Sequence, residues 1–198
     1  MKKFLCAVDF SRGSVHALDY AIWMAKPFGA DVELIWVDNS AESSGLAAIS
    51  RDLRLEVKKQ FDELIAASHQ QHPEINLSYK LKRGKVYQEI AGYARSEGID
   101  LIIAGSHGVS GFEQYWIGSN AYRIVSYAPV PTITIRTSYD ISRPLRRIVL
   151  PIDSTPETLL KIEVAAMFAR TFRAEVHVVA LFSTTLRSLG KKVESNAE

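Results

Sequence analysis

Cysteine is nearly absent: the chain holds one, Cys6, in 198 residues. A single thiol closes no internal disulfide, so the cross-linked frameworks of small secreted proteins are excluded and a reducing cytoplasm is the expected setting. Cys6 itself sits in an apolar run and reads as inert core. Long apolar stretches are missing too. The run FLCAV at residues 4–8 is broken by Asp9, too soon for the core of a secretion signal. No stretch approaches the roughly 18 apolar residues of a membrane helix. Charge of one sign is also lacking, because 24 Lys and Arg against 22 Asp and Glu leave a net +2, which gives no nucleic-acid footprint. The local basic run RPLRR, from Arg143 to Arg147, reads as a solvated linker. Neither a nucleic-acid nor a membrane partner is expected. What the chain does have is 47% hydrophobic residues, which argues against disorder and supplies a core.

The common phosphate and nucleophile fingerprints are absent as well. No glycine is followed at the right distance by Gly-Lys, as a Walker A loop needs, and GSHGVSG has the wrong first interval for GxGxxG. GxSxG does not occur, so no serine has a nucleophile-elbow context. Against these absences stands the stretch from Leu101 to Asn120, LIIAGSHGVSGFEQYWIGSN. An apolar run without alternation suits a strand buried on both faces. It ends in a loop with Gly105 and Gly108, where glycine permits positive φ and lets a ligand approach the backbone. Gly118, Ser119 and Asn120 then precede AYRIVSYA, so Ser119 or Asn120 is positioned to cap a helix. The free amides of such a helix start suit an anion.

Period reading gives alternating elements. Strands are expected at Lys3–Val8, Asp31–Val37, Ile75–Leu81, Ile99–Ala104 and Thr132–Arg136. Helices are expected at Ser14–Phe28, over 46–71, at Val86–Ser96 and after Ser119. Five strands and four helices in strict alternation imply an α/β fold with a doubly wound parallel sheet, whose ligands bind beyond the carboxyl ends of the strands.

The spacing Gly105, two residues, Gly108, nine residues, Gly118-Ser119 resembles that of the ATP-binding universal stress proteins. The opening KKFLCAVDFS, with Asp9 and Ser11, resembles that family's first strand and turn. The resemblance covers residues 2–136. It implies a Rossmann-like strand order 3-2-1-4-5 and a cytoplasmic stress-response protein that holds ATP, with Mg²⁺ on the phosphates, and hydrolyses it slowly if at all. Carried over position by position, it assigns the nucleoside end to Ala7, Asp9, Val37 and Ala104. The phosphate end falls to Gly105, His107, Gly108, Gly118, Ser119 and Asn120. The chain departs from the family where many members have proline in place of Ala7 and a small hydroxyl or aliphatic residue in place of Asn120 and Ala121. Tyr115 and Trp116 are bulky enough to cover or fill the site, which leaves open an interaction module that works without nucleotide. Members commonly dimerise through the last strand, so a homodimer through Thr132 to Arg136 is the expected assembly.

Sliding the chain by 144 residues lays Lys3–Val37 over Arg147–Leu181 without a gap, matching Asp9 with Asp153, Ala21 with Ala165, Phe28 with Phe172 and Val32 with Val176. A tandem protein is therefore expected: a nucleotide-binding domain at 1–137, a linker at 138–146, and an incomplete β-α-β copy at 147–198 without a glycine loop of its own. No catalytic or metal residue is assigned. His107 lacks an adjacent nucleophile and reads as a hydrogen-bonding residue. Val109 follows Gly108, where an HxGH signature would require histidine. His69 and His72 lack a third ligand and read as a solvated helix end.

Overall fold

Strand β1 (Lys3–Ala7) is apolar after its first residue, and Phe4, Leu5 and Cys6 are fully buried, as a strand covered on both faces requires. It lies at the centre of a five-stranded sheet with β2 (Asp31–Asp38), β3 (Leu77–Arg83), β4 (Leu101–Gly105) and β5 (Thr132–Ile135). The order is β3-β2-β1-β4-β5 and every pairing is parallel. Helices α1 (Arg12–Ala25), α2 (Arg51–Gln71), α3 (Val86–Ser96) and α4 (Ser119–Tyr127) make the crossovers. This is the doubly wound α/β sheet and the 3-2-1-4-5 order anticipated above. The computed structural model describes residues 1–39, 51–106, 118–153 and 155–180, without the side chains of Arg51 and Glu157.

Local chemistry explains where the elements shift from their expected bounds. Helix α1 starts two residues early because Ser11 caps it, its side chain accepting from the Ser14 amide at 3.2 Å. It ends early because Pro27 has no amide to continue the ladder; Lys26–Phe28 forms a 3-10 turn closed by Gly29 at φ +57°. Strand β4 starts late because Gly98, at φ +64°, terminates α3 and the Ile99 amide turns back to the Ala94 carbonyl at 3.2 Å. Strand β3 runs two residues further than its alternation indicated, since its pairing with β2 continues to Asp38 opposite Arg83. Of the helix expected over 46–71, residues 46–50 lie outside the described residues.

One face of the sheet carries a core of Leu5, Ile35, Ile90, Tyr93, Ile99, Ile102 and Ile124 beneath α3 and α4. A polar cluster is set into this side. The Tyr93 hydroxyl donates to Glu33 Oε1 at 2.8 Å, and Lys3 Nζ pairs with Glu33 Oε2 at 2.8 Å. The chain divides into two compact units, Met1–Ser142 and Arg143–Glu198. The second holds β6 (Arg147–Ile152), α5 (Glu157–Phe172) and β7 (Glu175–Ala180), with β6 and β7 parallel. Leu150, Ala165 and Phe168 make its small core, while Val149, Leu159, Leu160 and Val178 are exposed.

Candidate functional site

At the carboxyl end of β1, Ala7 stands in register with Ala104 of β4, and the Val8 amide still bonds the Ile35 carbonyl of β2 at 2.9 Å. The chain then leaves the sheet. Phe10 adopts φ +60°, which turns the backbone sharply into α1. Asp9 is locked at this corner: its Oδ1 accepts from the Ser11 amide at 3.0 Å and from the Ser11 hydroxyl at 2.5 Å, and its own amide donates to Ser14 Oγ at 3.2 Å. The carboxylate is exposed and, among the described residues, has no cationic partner.

On the neighbouring strand, the Ser106 amide bonds the Ile135 carbonyl at 2.8 Å, and the Ser106 carbonyl accepts from the Gly118 amide at 2.8 Å. That last bond brings the start of α4 onto the end of β4. The structure corrects the expected cap. Gly118 is the N-cap, Ser119 and Asn120 are already helical, and no side chain caps the helix. The Tyr122 amide bonds the Gly118 carbonyl at 2.9 Å as the first rung, so the amides of Ser119, Asn120 and Ala121 have no partner within the helix. Gly105 is corrected too. It does not take a positive φ, and α1 gives its glycine a reason of its own: a Cβ at 105 would lie 2.8 Å from the Gly13 carbonyl oxygen.

Asp9, Gly105 and the α4 start open into one cleft of about 430 Å³. That falls within the roughly 300–1,000 Å³ common for small-molecule sites. Of the ten residues anticipated from the sequence, Ala7, Asp9, Val37, Ala104, Gly105, Gly118, Ser119 and Asn120 line it. His107 and Gly108 lie outside the described residues, as do Tyr115 and Trp116. The cleft has two poles. Val37, Val86, Ile90 and Ile124 form an apolar wall suited to a flat ring, whereas Asp9 can accept hydroxyls and the open amides of α4 can accept an anion. Sequence reading missed Ser14, Asn39, Val86, Ile90, Ser106 and Ile124. Val86 and Ile90 carried a signal, their i,i+4 spacing on α3, but only the winding of the sheet turns that helix face to the site.

Away from the cleft, Cys6 is wholly buried, and burial first, with Asp19 second, pushes its thiol up. His72 closes the end of α2 against Lys26, with Nδ1 and Nζ 2.9 Å apart. In the second unit, the Asp9 corner recurs 144 residues on. Asp153 Oδ1 accepts from the Thr155 amide at 3.1 Å and its hydroxyl at 2.5 Å, and the Asp153 amide donates to Thr158 Oγ1 at 3.2 Å. The hydroxyls of Thr155 and Thr158 hold Asp153 down at about 2, with Lys161 at 3.8 Å a lesser contributor. Arg173, at φ +54°, repeats the left-handed exit of Gly29.

The architecture has known counterparts. Universal stress protein YxiE of Bacillus subtilis is 28% identical over 145 residues, covering 68% of this chain and 98% of that protein. The structure of a universal stress protein from Archaeoglobus fulgidus superposes at a TM-score of 0.69 with 18% identity, covering 98% of this chain and 74% of that one. A universal stress protein solved in complex with cAMP superposes at 0.51 with 16% identity, covering 69% and 98%. The Universal stress protein family model matches residues 1–136, the span that holds the five-stranded sheet, and the chain belongs to that family.

Proposed function

We propose that this chain is a stress-response regulator of the cytoplasm that binds ATP in the cleft above β1 and β4 and turns it over slowly if at all. The observation that carries the reading is the uncapped start of α4, whose free amides open into the same cavity as an apolar wall and a fixed carboxylate. In this assignment the adenine packs against Val37, Val86 and Ile124, and Asp9 accepts from the ribose hydroxyls. The phosphates are assigned to Gly105, His107, Gly108, Gly118, Ser119 and Asn120. Mg²⁺ would be held by the phosphates themselves, as is usual for an ion that keeps most of its water. The relative solved with cAMP supports an adenine ligand in this fold.

We assign residues 1–137 to the nucleotide-binding domain, 138–146 to a linker, and the unit from 147 onward to a partial tandem copy. The recurrence of the Asp9 corner at Asp153 supports duplication. For assembly we propose a homodimer through the edge strand Thr132 to Arg136. That edge, with exposed Tyr122 and Val125 on α4, also favours the second reading, an interaction module that works without nucleotide. The combined substitution Gly118→Val with Ser119→Ala separates the two. The ATP reading requires loss of a fluorescent ATP analogue without a change in unfolding temperature. Unchanged dimerisation with no binding by either protein would establish the module instead.

A further inference from the structure

The charge around the cleft points to how it chooses among phosphates. Among the described residues, its lining contains one charged residue, Asp9. The sequence from Ile35 to Ser50 holds no Lys or Arg, and neither does that from Ala104 to Tyr122, which includes Gly105, Gly108 and Gly118. Lys85 and Arg123 adjoin lining residues in sequence and Arg12 stands two before Ser14, but none of the three lines the cleft, and Arg123 lies over the Tyr87 ring, 5.7 Å from its centre. The equivalent corner in the second unit differs: Asp153 has Lys161 at 3.8 Å, where the first unit has Ala17.

Anion binding here therefore falls to helix amides, which supply about half a positive charge at the α4 start. Asp9 stands on the adjacent strand end, since Ala7 and Ala104 are in register and Asp9 and Ser106 each lie two residues beyond. A single phosphate is matched by the helix start. A metal-free triphosphate brings additional charge past Asp9 with no Lys or Arg among the described lining residues to receive it, and one uncompensated unit charge at close range shifts an equilibrium by about tenfold or more.

We infer that the cleft selects its nucleotide by phosphate charge: it takes an adenine nucleotide with one phosphate group unaided, and a triphosphate only as a divalent-metal complex. This rests on the nucleotide reading above. Calorimetric titration of the full chain tests it with three ligands: AMP in EDTA, ATP in EDTA, and ATP with excess Mg²⁺. AMP and Mg–ATP are expected to bind, with metal-free ATP at least about tenfold weaker than AMP. The substitution Asn120→Lys, made in the first turn of α4, is expected to raise metal-free ATP affinity by a larger factor than AMP affinity, narrowing the gap between the two. Metal-free ATP binding within about threefold of AMP would overturn the inference whether or not the variant folds. Binding of none of the three would instead overturn the nucleotide reading itself.

Discussion

Gly105 and Gly13 are in backbone contact. A Cβ on Gly105 would stand 2.8 Å from the Gly13 carbonyl oxygen and 2.9 Å from its carbonyl carbon, so the end of β4 and the start of α1 approach as closely as two glycines allow. Neither neighbour is a flexible side-chain tip, and the helix must move if the glycine is replaced. Gly105→Ala is expected to destabilise the first unit by about 1–3 kcal/mol, lowering the unfolding temperature by several degrees, as measured by calorimetry or circular dichroism. A variant as stable as the parent would show that α1 is looser than its contacts indicate.

That glycine illustrates what was legible in the sequence. The strand-helix alternation identified the fold, and the glycine spacing led to the cleft at the strand ends, because period and spacing are local. The reason for Gly105 was not legible, since the Cβ it excludes would strike a residue 92 positions earlier. The α4 cap was misjudged on similar grounds: Ser119 and Asn120 have the chemistry of caps, but the bond from the Gly118 amide to the Ser106 carbonyl sets the helix start one residue sooner. Asn39, Val86 and Ile124 line the cleft only through the winding of the sheet.

The buried Glu33 should be sensitive to loss of its hydroxyl donor. Tyr93→Phe leaves Oε1 without the bond made at 2.8 Å, and Lys3, a third exposed, compensates only in part. A loss of about 1–2 kcal/mol in denaturant unfolding is expected, with no change in nucleotide affinity because Tyr93 is not a lining residue. Unchanged stability would mean that solvent reaches Glu33.

Alkali should unfold the chain in a defined window. Burial first, then the nearby Tyr139, pushes Tyr20 up to about 12, and burial followed by the Glu33 hydrogen bond raises Tyr93 as well. A raised folded-state value means that the native chain holds its proton more tightly than the unfolded chain does. The contribution is intact below about pH 10 and is lost as pH rises towards 12. Tyrosinate absorbance should therefore rise incompletely until unfolding, with the last increment coincident with loss of helix signal. Complete titration before any loss of structure would contradict this.

The edge strand offers a test of assembly. The carbonyls of Pro131 and Ile135 bond to β4, so the backbone groups of Thr132 and Thr134 face away from the sheet. Thr134→Pro removes an outward amide and spares the inner ladder, whereas proline at Ile133 would break that ladder. The proposed dimer is expected to elute as monomer with the unfolding temperature of the isolated subunit retained. An unchanged elution volume would exclude pairing through β5.

Amide NMR of the full chain, titrated with Mg–ATP, tests most directly whether adenine nucleotide occupies the cleft between the Asp9 corner and the open start of α4. Saturable shifts are expected at Asp9, Val37, Ser119, Asn120 and Ala121, with the second unit's Asp153 and Thr155 unmoved. Saturation that leaves the amides of Ser119 and Asn120 unshifted, or shifts confined to other parts of the chain, would contradict that occupancy.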